Sequence, residues 1–384
     1  MAKLRVAVLF GGRSGEHEIS LRSALAVMSA MDPARYEIIP INIDRSGRWF
    51  VRDDALSALP DASGQLAELG PGGLPAALLP YPLAQGALCR SGAGNGFEAV
   101  KFAASEQVDV VFPILHGTYG EDGTIQGLFE LAGVPYVGSG VLGSAVGMSK
   151  NVQKRLMREA GIPVTEFVVL SVANWEENRK QALKLAEGLG YPVYVKPSCL
   201  GSSIGVNRVC GPRELEPAIL DALQYDRKVL VEAACEGREL ECAVLGNRRP
   251  EVAGPGEIVV EHGHSFYSYE SKYVDPEGAS LRIPAELPSE VAERMRAISR
   301  AAFLALDLRG MARVDFLARK DLSEIFVNEV NTIPGFTNIS MYPKLWEADG
   351  MPMAKLVDRL IELALEEHAE RRALSFTYKA KTQT

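Results

Sequence analysis

The chain has little of what marks a membrane, secreted or nucleic-acid-binding protein. No apolar run approaches the ~18 residues needed to span a bilayer. The apolar stretch before Gly11 is too short for a signal peptide, so a cytoplasmic protein with no membrane partner is expected. Cysteine is sparse: Cys89, Cys199, Cys210, Cys235 and Cys242 are scattered, odd in number and without a CxxC pair, which argues for reduced thiols over disulfides or zinc. His262 and His264 have no third ligand nearby, so they make a weak metal signal and are discounted. Positive charge is short as well. Lys and Arg number 41 against 49 Asp and Glu, a net charge of -8, which gives no electrostatic footprint for nucleic acid.

What remains is the composition of a soluble globular protein, 47% hydrophobic and 23% charged. At about 100 to 200 residues per domain, 384 residues predict two or three domains. The most informative stretch is 310–340, GMARVDFLARKDLSEIFVNEVNTIPGFTNIS. It reads as a β-hairpin, with alternating runs at 312–318 and 324–330 around a polar turn at 319–323. A turn centred near Asp321 sets Asp315 opposite Glu329 and Arg313 opposite Asn331. Facing carboxylates repel unless a cation lies between them. Asp315, Glu329 and Asn331 offer only oxygen, which suits Mg²⁺ better than Zn²⁺. Such a Mg²⁺ completes its shell with water and phosphates, so this face is a candidate nucleotide site; a solvated hairpin face with ordinary charges is the alternative.

The other signals follow in chain order. An apolar run at 4–10, a glycine-rich loop, a helix-compatible stretch at 20–31 and a second apolar run at 37–43 predict an open parallel sheet, with ligands beyond the carboxyl ends of its strands. The loop GGRSGEHEIS is not a dinucleotide fingerprint; its Glu16 suits either a substrate ammonium or a helix start. The segment 63–96, with 8 Gly and 4 Pro in 34 residues, is expected to be largely irregular. His116 follows an apolar run at 108–115, where an active-site His or a merely satisfied one would sit. Ser149 is expected to cap a helix at 150–160 whose first residue, Lys150, opposes the helix dipole unless a phosphate binds there. Lys196 ends a strand and is followed by SCLGSSIGV, a donor-rich loop compatible with phosphate or with a plain hairpin turn, and without the GK[ST] end of a P-loop. Strands are expected at 229–232 and 239–245, the second with Glu239 and Glu241 on its solvated face. The stretch 255–282 has the length of a lid, Ser289 is expected to cap a helix with an apolar stripe, and a last helix covers about 354–371.

Taken together, GGRSGEHEIS, LHGTYGEDGTIQG, VKPSCLGSSIGV, SFYSYESKY, RVDF and NEVNTIPGFTNIS resemble the D-alanine-D-alanine ligases among the ATP-grasp carboxylate-amine ligases. The resemblance covers nearly the whole chain. It implies an α/β (α+β overall) three-domain ATP-grasp architecture: an N-terminal domain at 1–138, a central subdomain at 139–231, and a C-terminal subdomain at 232–384 carrying lid and metal site. It implies ATP as cosubstrate, D-alanine as substrate, two Mg²⁺ with Mn²⁺ able to substitute, and a homodimer. Lys150 and Lys196 would contact ATP phosphates; Ser202, Ser203, Asn328 and Lys272 would also bind ATP, Lys272 binding substrate as well; the segment from Glu232 through Ala233 to Cys235 would hold the adenine, and Glu239 the ribose. Asp315, Glu329 and Asn331 would hold the metal. Glu16 would orient the first D-alanine's ammonium with help from His116, Arg313 and the Gly335 N–H would stabilise an oxyanion, and Ser340 would receive the second carboxylate. Ser202, Lys272 and Tyr273 would close the site, and a Tyr at 273 favours a dipeptide over an ester. Ala233 and Ala234 depart from the pattern, since many relatives carry a Lys and a large side chain there. The alternatives are a D-alanine-D-lactate or other ATP-grasp ligase, and a catalytically inactive nucleotide-binding regulator.

Overall fold

The computed structural model describes residues 2–52, 55, 73–80, 82, 88–90, 107–260 and 279–375. Three sheets organise them. The first takes the order β5-β4-β3-β2-β1-β6. At its centre β1 (Leu4–Gly11) lies parallel to β2 (Tyr36–Ile43), and α1 (His17–Ala30) connects them. The sheet continues antiparallel through β3 (Trp49–Val51), β4 (Leu74–Leu78) and β5 (Leu88–Arg90), while β6 (Val110–Ile114) pairs parallel on the other side of β1. Helices cover both faces of β1, and its run from Val6 to Phe10 is therefore apolar. Val6, Val8 and Phe10 enter one core and Ala7 and Leu9 another.

The chain then passes through α2 (Thr124–Ala132), α3 (Val141–Met148) and α4 (Lys150–Glu159) to a second, antiparallel sheet. Its order is β7-β10-β8-β9, with β7 (Phe167–Ser171), β8 (Val193–Pro197), β9 (Asn207–Val209) and β10 (Lys228–Ala233). The helices α5 (Val172–Glu187) and α6 (Pro212–Ala222) pack on the face bearing Val193, Val195, Val229 and Val231. Period-2 alternation therefore turns Tyr194, Lys196 and Glu232 to the opposite face.

The third sheet runs β13-β12-β11-β14-β15: β11 (Gly237–Gly246), β12 (Glu251–Val260), β13 (Ala279–Arg282), β14 (Gly310–Arg319) and β15 (Ile325–Asn331). The helix α7 (Ser289–Ala305) buries Met295, Ala302 and Phe303 against Leu240, Cys242, Val314 and Phe316. On the other face α8 (Met341–Ala348) and α9 (Met353–Arg372) cover Ala243, Leu245 and Met311. The helix α9 also reaches back to the first sheet. Leu356, Val357 and Leu360 share a core with Val6, Val8 and Val27, and Tyr36 donates to Asp358 at 2.7 Å.

The parallel sheet expected from 4–43 is present as β2, β1 and β6, and β3, β4 and β5 extend it antiparallel. Several other expectations are corrected. The stretch expected to be irregular contains β4 and β5, short strands that bury Leu78 and Leu88 at the sheet margin. The expected lid begins and ends inside strands, since β12 reaches Val260 and β13 starts at Ala279. Residues 261–278, with His262, His264, Lys272 and Tyr273, lie outside the described residues. Ser149 stands at the N-cap of α4 without capping it; its hydroxyl lies 3.4 Å from that of Ser198 instead. Pro288, extended at φ -55 and ψ 140, takes the N-cap of α7, which makes Ser289 the first helical residue.

Candidate active site

A cleft of about 510 Å³ lies between the second and third sheets, lined among others by Lys150, Lys196, Ser202, Glu232, Asp315 and Glu329. The hairpin supplies its acidic wall. The hairpin closes with Ala318 opposite Ile325 and Phe316 opposite Val327, a register that in a straight ladder would set Asp315 against Asn328. A β-bulge intervenes, and Asp315 faces Glu329 and Arg313 faces Asn331. With Asn328 as the extra residue, Ile325, Val327 and Val330 all enter the core, whereas Asn328 and Glu329, adjacent in sequence, both line the cleft.

The acids are met by cations from three elements. Arg313 makes a bidentate pair with Asp315, Nε to Oδ1 and the second nitrogen to Oδ2, both at 2.7 Å, and lies 3.0 Å from Glu241. Burial opposes its charge, but Asp315 and Glu241 outweigh burial and raise its pKa further. Asn331 donates to Asp315 Oδ2 at 2.9 Å. Lys150 reaches Glu329 at 2.9 Å and the Leu200 carbonyl at 2.7 Å; burial disfavours the ammonium, and Glu329 more than compensates. On the second sheet Glu232 sits between two lysines, Lys196 at 2.7 Å and Lys154 at 3.4 Å, and Lys196 also donates to Asn328 Oδ1 at 3.2 Å. Burial pulls the Lys154 pKa down to about 8, and the two lysines hold Glu232 below the usual carboxylate range despite burial. Lys154 and Glu232 are therefore both charged at neutral pH.

The serine-glycine loop closes the cleft toward the first sheet. Ser202 and Ser203 both adopt left-handed backbone, φ 52 and 57, a conformation that costs L-residues energy and is found at functional loops. Ser202 donates its hydroxyl hydrogen to Glu16, which stands at the N-cap of α1. Glu16 thus meets the serine-glycine loop from another sheet. His116 is buried, with Nδ1 3.0 Å from the Ile333 carbonyl and Nε2 3.3 Å from Ser23, so it reaches the site through the loop at 332–336. A Cβ at Gly335 would come within 2.8 Å of the Ser340 hydroxyl, which itself accepts from the Thr337 N–H at 3.0 Å. At the expected adenine segment the Ala233 and Ala234 N–H groups donate to the Glu166 and Pro192 carbonyls, so neither is available to a base. Cys235 is buried there, and Glu239 lines the cleft.

The donor chemistry fits a hard cation. The Asp315 and Glu329 carboxylates face each other across the hairpin with the Asn331 amide beside Asp315 and Lys150 beside Glu329, while among the described residues no cluster of three His, Cys, Asp or Glu offers a site closed by protein alone. Sequence reasoning missed four contributors. Glu241, expected to be solvated, is buried against Arg313. Lys154 is fully buried, a placement its i, i+4 spacing from Lys150 did not reveal. Glu121 accepts from the Gly117 N–H at 2.8 Å and the Ile333 N–H at 3.0 Å. The bulge was legible as a break in alternation, with apolar residues at 325, 327 and 330.

Residues 5–139 match the family model described as D-ala D-ala ligase N-terminus, and residues 156–362 the one described as D-ala D-ala ligase C-terminus. The chain is 45% identical to D-alanine--D-alanine ligase A of Bradyrhizobium diazoefficiens, covering 98% of this chain and 99% of that one. It is 46% identical to the ligase A of Chromobacterium violaceum, over 98% and 99% of the two chains. Among solved structures, the D-alanine-D-alanine ligase from Coxiella burnetii superposes with a TM-score of 0.79 at 37% identity, covering 97% of this chain and 98% of that one. A D-Ala:D-Ser ligase from Enterococcus faecalis gives 0.80 at 35%, covering 94% and 100%. The chain belongs to the D-alanine-D-alanine ligase family.

Proposed function

We propose that the protein joins two D-alanines into D-alanyl-D-alanine at the expense of ATP, the dipeptide serving peptidoglycan precursor synthesis. The observation that carries this reading is the convergence of Lys150, Lys196, Asp315 and Glu329 on one cleft, with Ser202 linking that cleft to Glu16. A carboxylate does not accept an amine directly, because oxide would have to leave. Transfer of the γ-phosphoryl group to a carboxylate oxygen of the first D-alanine gives an acyl phosphate and ADP. The second D-alanine's neutral amine then attacks the carbonyl carbon, loses a proton, and phosphate departs. These steps need positioning and charge neutralisation rather than an enzyme nucleophile, in keeping with a cleft walled by cations and acids.

In this reading Lys150 and Lys196 exchange Glu329 and Glu232 for phosphate oxygens, Ser203 and Asn328 add contacts, and Ala233, Cys235 and Glu239 flank the nucleoside. Asp315, Glu329 and Asn331 would hold two Mg²⁺, which would supply positive charge to the phosphate oxygens. Glu16 receives the first ammonium, Arg313 and the Gly335 N–H receive the oxyanion, and Ser340 receives the second carboxylate. Lys272 and Tyr273 belong to the segment that excludes water from the acyl phosphate. A homodimer is the assembly proposed.

The test is product analysis with ATP and Mg²⁺, supplying D-alanine alone and then with D-serine or D-lactate. D-Alanyl-D-alanine should dominate in every mixture at neutral pH. A dominant mixed product would move the specificity to another acceptor, and no D-alanine-dependent ADP would refute the ligase reading.

A further inference from the structure

Ser23 lies on α1, fully buried and outside the cleft, yet its hydroxyl takes part in a chain of contacts that ends where the oxyanion would form. The Phe336 N–H donates to Ser23 Oγ at 3.2 Å. Ser23 Oγ lies 3.3 Å from His116 Nε2, and His116 Nδ1 lies 3.0 Å from the Ile333 carbonyl oxygen. The direction of each contact follows from chemistry. A carbonyl only accepts, so Nδ1 carries a hydrogen. Ser23 already accepts from Phe336, and its own hydrogen has the Nε2 lone pair as partner, which leaves the imidazole neutral. The circuit leaves the loop at Phe336 and returns at Ile333, so Gly335 is enclosed between its two ends. Glu121 holds the same loop from the other side by accepting the Ile333 N–H.

We propose that Ser23 is a positioning residue for the condensation: with neutral His116 in its Nδ1–H form it clamps Ile333 and Phe336 and thereby aims the Gly335 N–H. The proposal rests on the ligase reading, in which that N–H stabilises the tetrahedral oxyanion. Burial supports it by disfavouring imidazolium, against the pull of the Glu16 charge and with the push of Arg313. An imidazolium would aim an Nε2–H at Ser23 and leave the serine hydrogen without an acceptor among the described residues.

Two measurements test the clamp separately from the activity. The first is imidazole ¹⁵N NMR of the wild-type protein at neutral pH, with His116 assigned by its loss in His116→Gln. A pyrrole-type Nδ1 and a pyridine-type Nε2 are expected, and the Nε2–H tautomer or an imidazolium would overturn the proposal. The second is the kinetics of Ser23→Ala. Its kcat for D-alanine should fall roughly 10-fold or more, since small misplacements of reacting groups cost that much, with KM for ATP within about twofold. Amide exchange over 333–340 should quicken. An unchanged kcat in Ser23→Ala beside an active wild type would overturn the clamp and leave the ligase reading intact. An inactive wild type would sink the ligase reading, and with it the role in condensation, whatever the tautomer. If Ser23→Ala does not fold, the wild-type spectrum decides.

Discussion

At the scale of single residues, the acids and bases that sequence motifs name do not act alone. Lys196 and Glu232 could be read from the sequence, but Lys154, which completes their buried group, could not, because a Lys in a helix gives no local sign of facing inward. Glu232→Gln strands two buried ammoniums, whereas Lys154→Met leaves Glu232 paired with Lys196. Glu232→Gln should therefore destabilise the fold by roughly 3–5 kcal/mol and more than Lys154→Met does, as read by urea denaturation; the reverse order would contradict the assigned pairing. Glu121 adds a pH signature. Burial first, and the Glu16 charge second, raise its pKa from 4.5 to about 8, against two backbone N–H donors. The folded protein thus keeps a proton that the unfolded chain releases between those values. That contribution is full below about pH 4.5 and is lost as pH rises through about 8. Stability should fall across this window in the wild type relative to Glu121→Gln, which cannot ionise; parallel stability curves would show that the Glu121 carboxyl is not perturbed.

At the scale of elements, the hairpin shows both the reach and the limit of sequence reasoning. Its strands were legible from alternation, and the pairing of Asp315 with Glu329 followed only from an assumed turn centre near Asp321. The device that produces the pairing went unread, although the apolar residues at 325, 327 and 330 mark it, because a period-2 reading has no place for two successive residues on one face. The bulge lets Val327 and Val330 share the core while Asn328 and Glu329 share the cleft. Deleting Asn328 straightens the ladder and keeps Val327 opposite Phe316 and Glu329 opposite Asp315. The expected variant is folded, retains Mg²⁺-dependent turnover at a reduced level, and has a higher KM for ATP because Lys196 loses its Asn328 contact. Glu329→Gln, by contrast, should lower turnover by about 10²-fold or more while circular dichroism stays unchanged, a scale set by the loss of one charge-stabilising group. Near-normal turnover in Glu329→Gln would refute the metal assignment. The two strands inside 63–96 escaped sequence reading for a different reason: short margin strands among Gly and Pro carry too little periodicity.

At the scale of the whole molecule, the site has no single owner. Glu16 comes from the first sheet, Ser202 follows a strand of the second, and Arg313 lies on the third. The helix α9 fixes the first and third sheets in one core, which makes their relative placement a property of the fold rather than of any motif. That arrangement is what activation of a carboxylate next to a bound ammonium requires, and it could be inferred from the sequence only through resemblance, not from periodicity. The most direct test follows the oxygen atoms. With D-alanine labelled by ¹⁸O in its carboxylate, ATP and Mg²⁺, one ¹⁸O should appear in the released phosphate for each dipeptide formed, because the acyl phosphate surrenders its bridging oxygen to phosphate. Dipeptide formed with unlabelled phosphate would contradict the account.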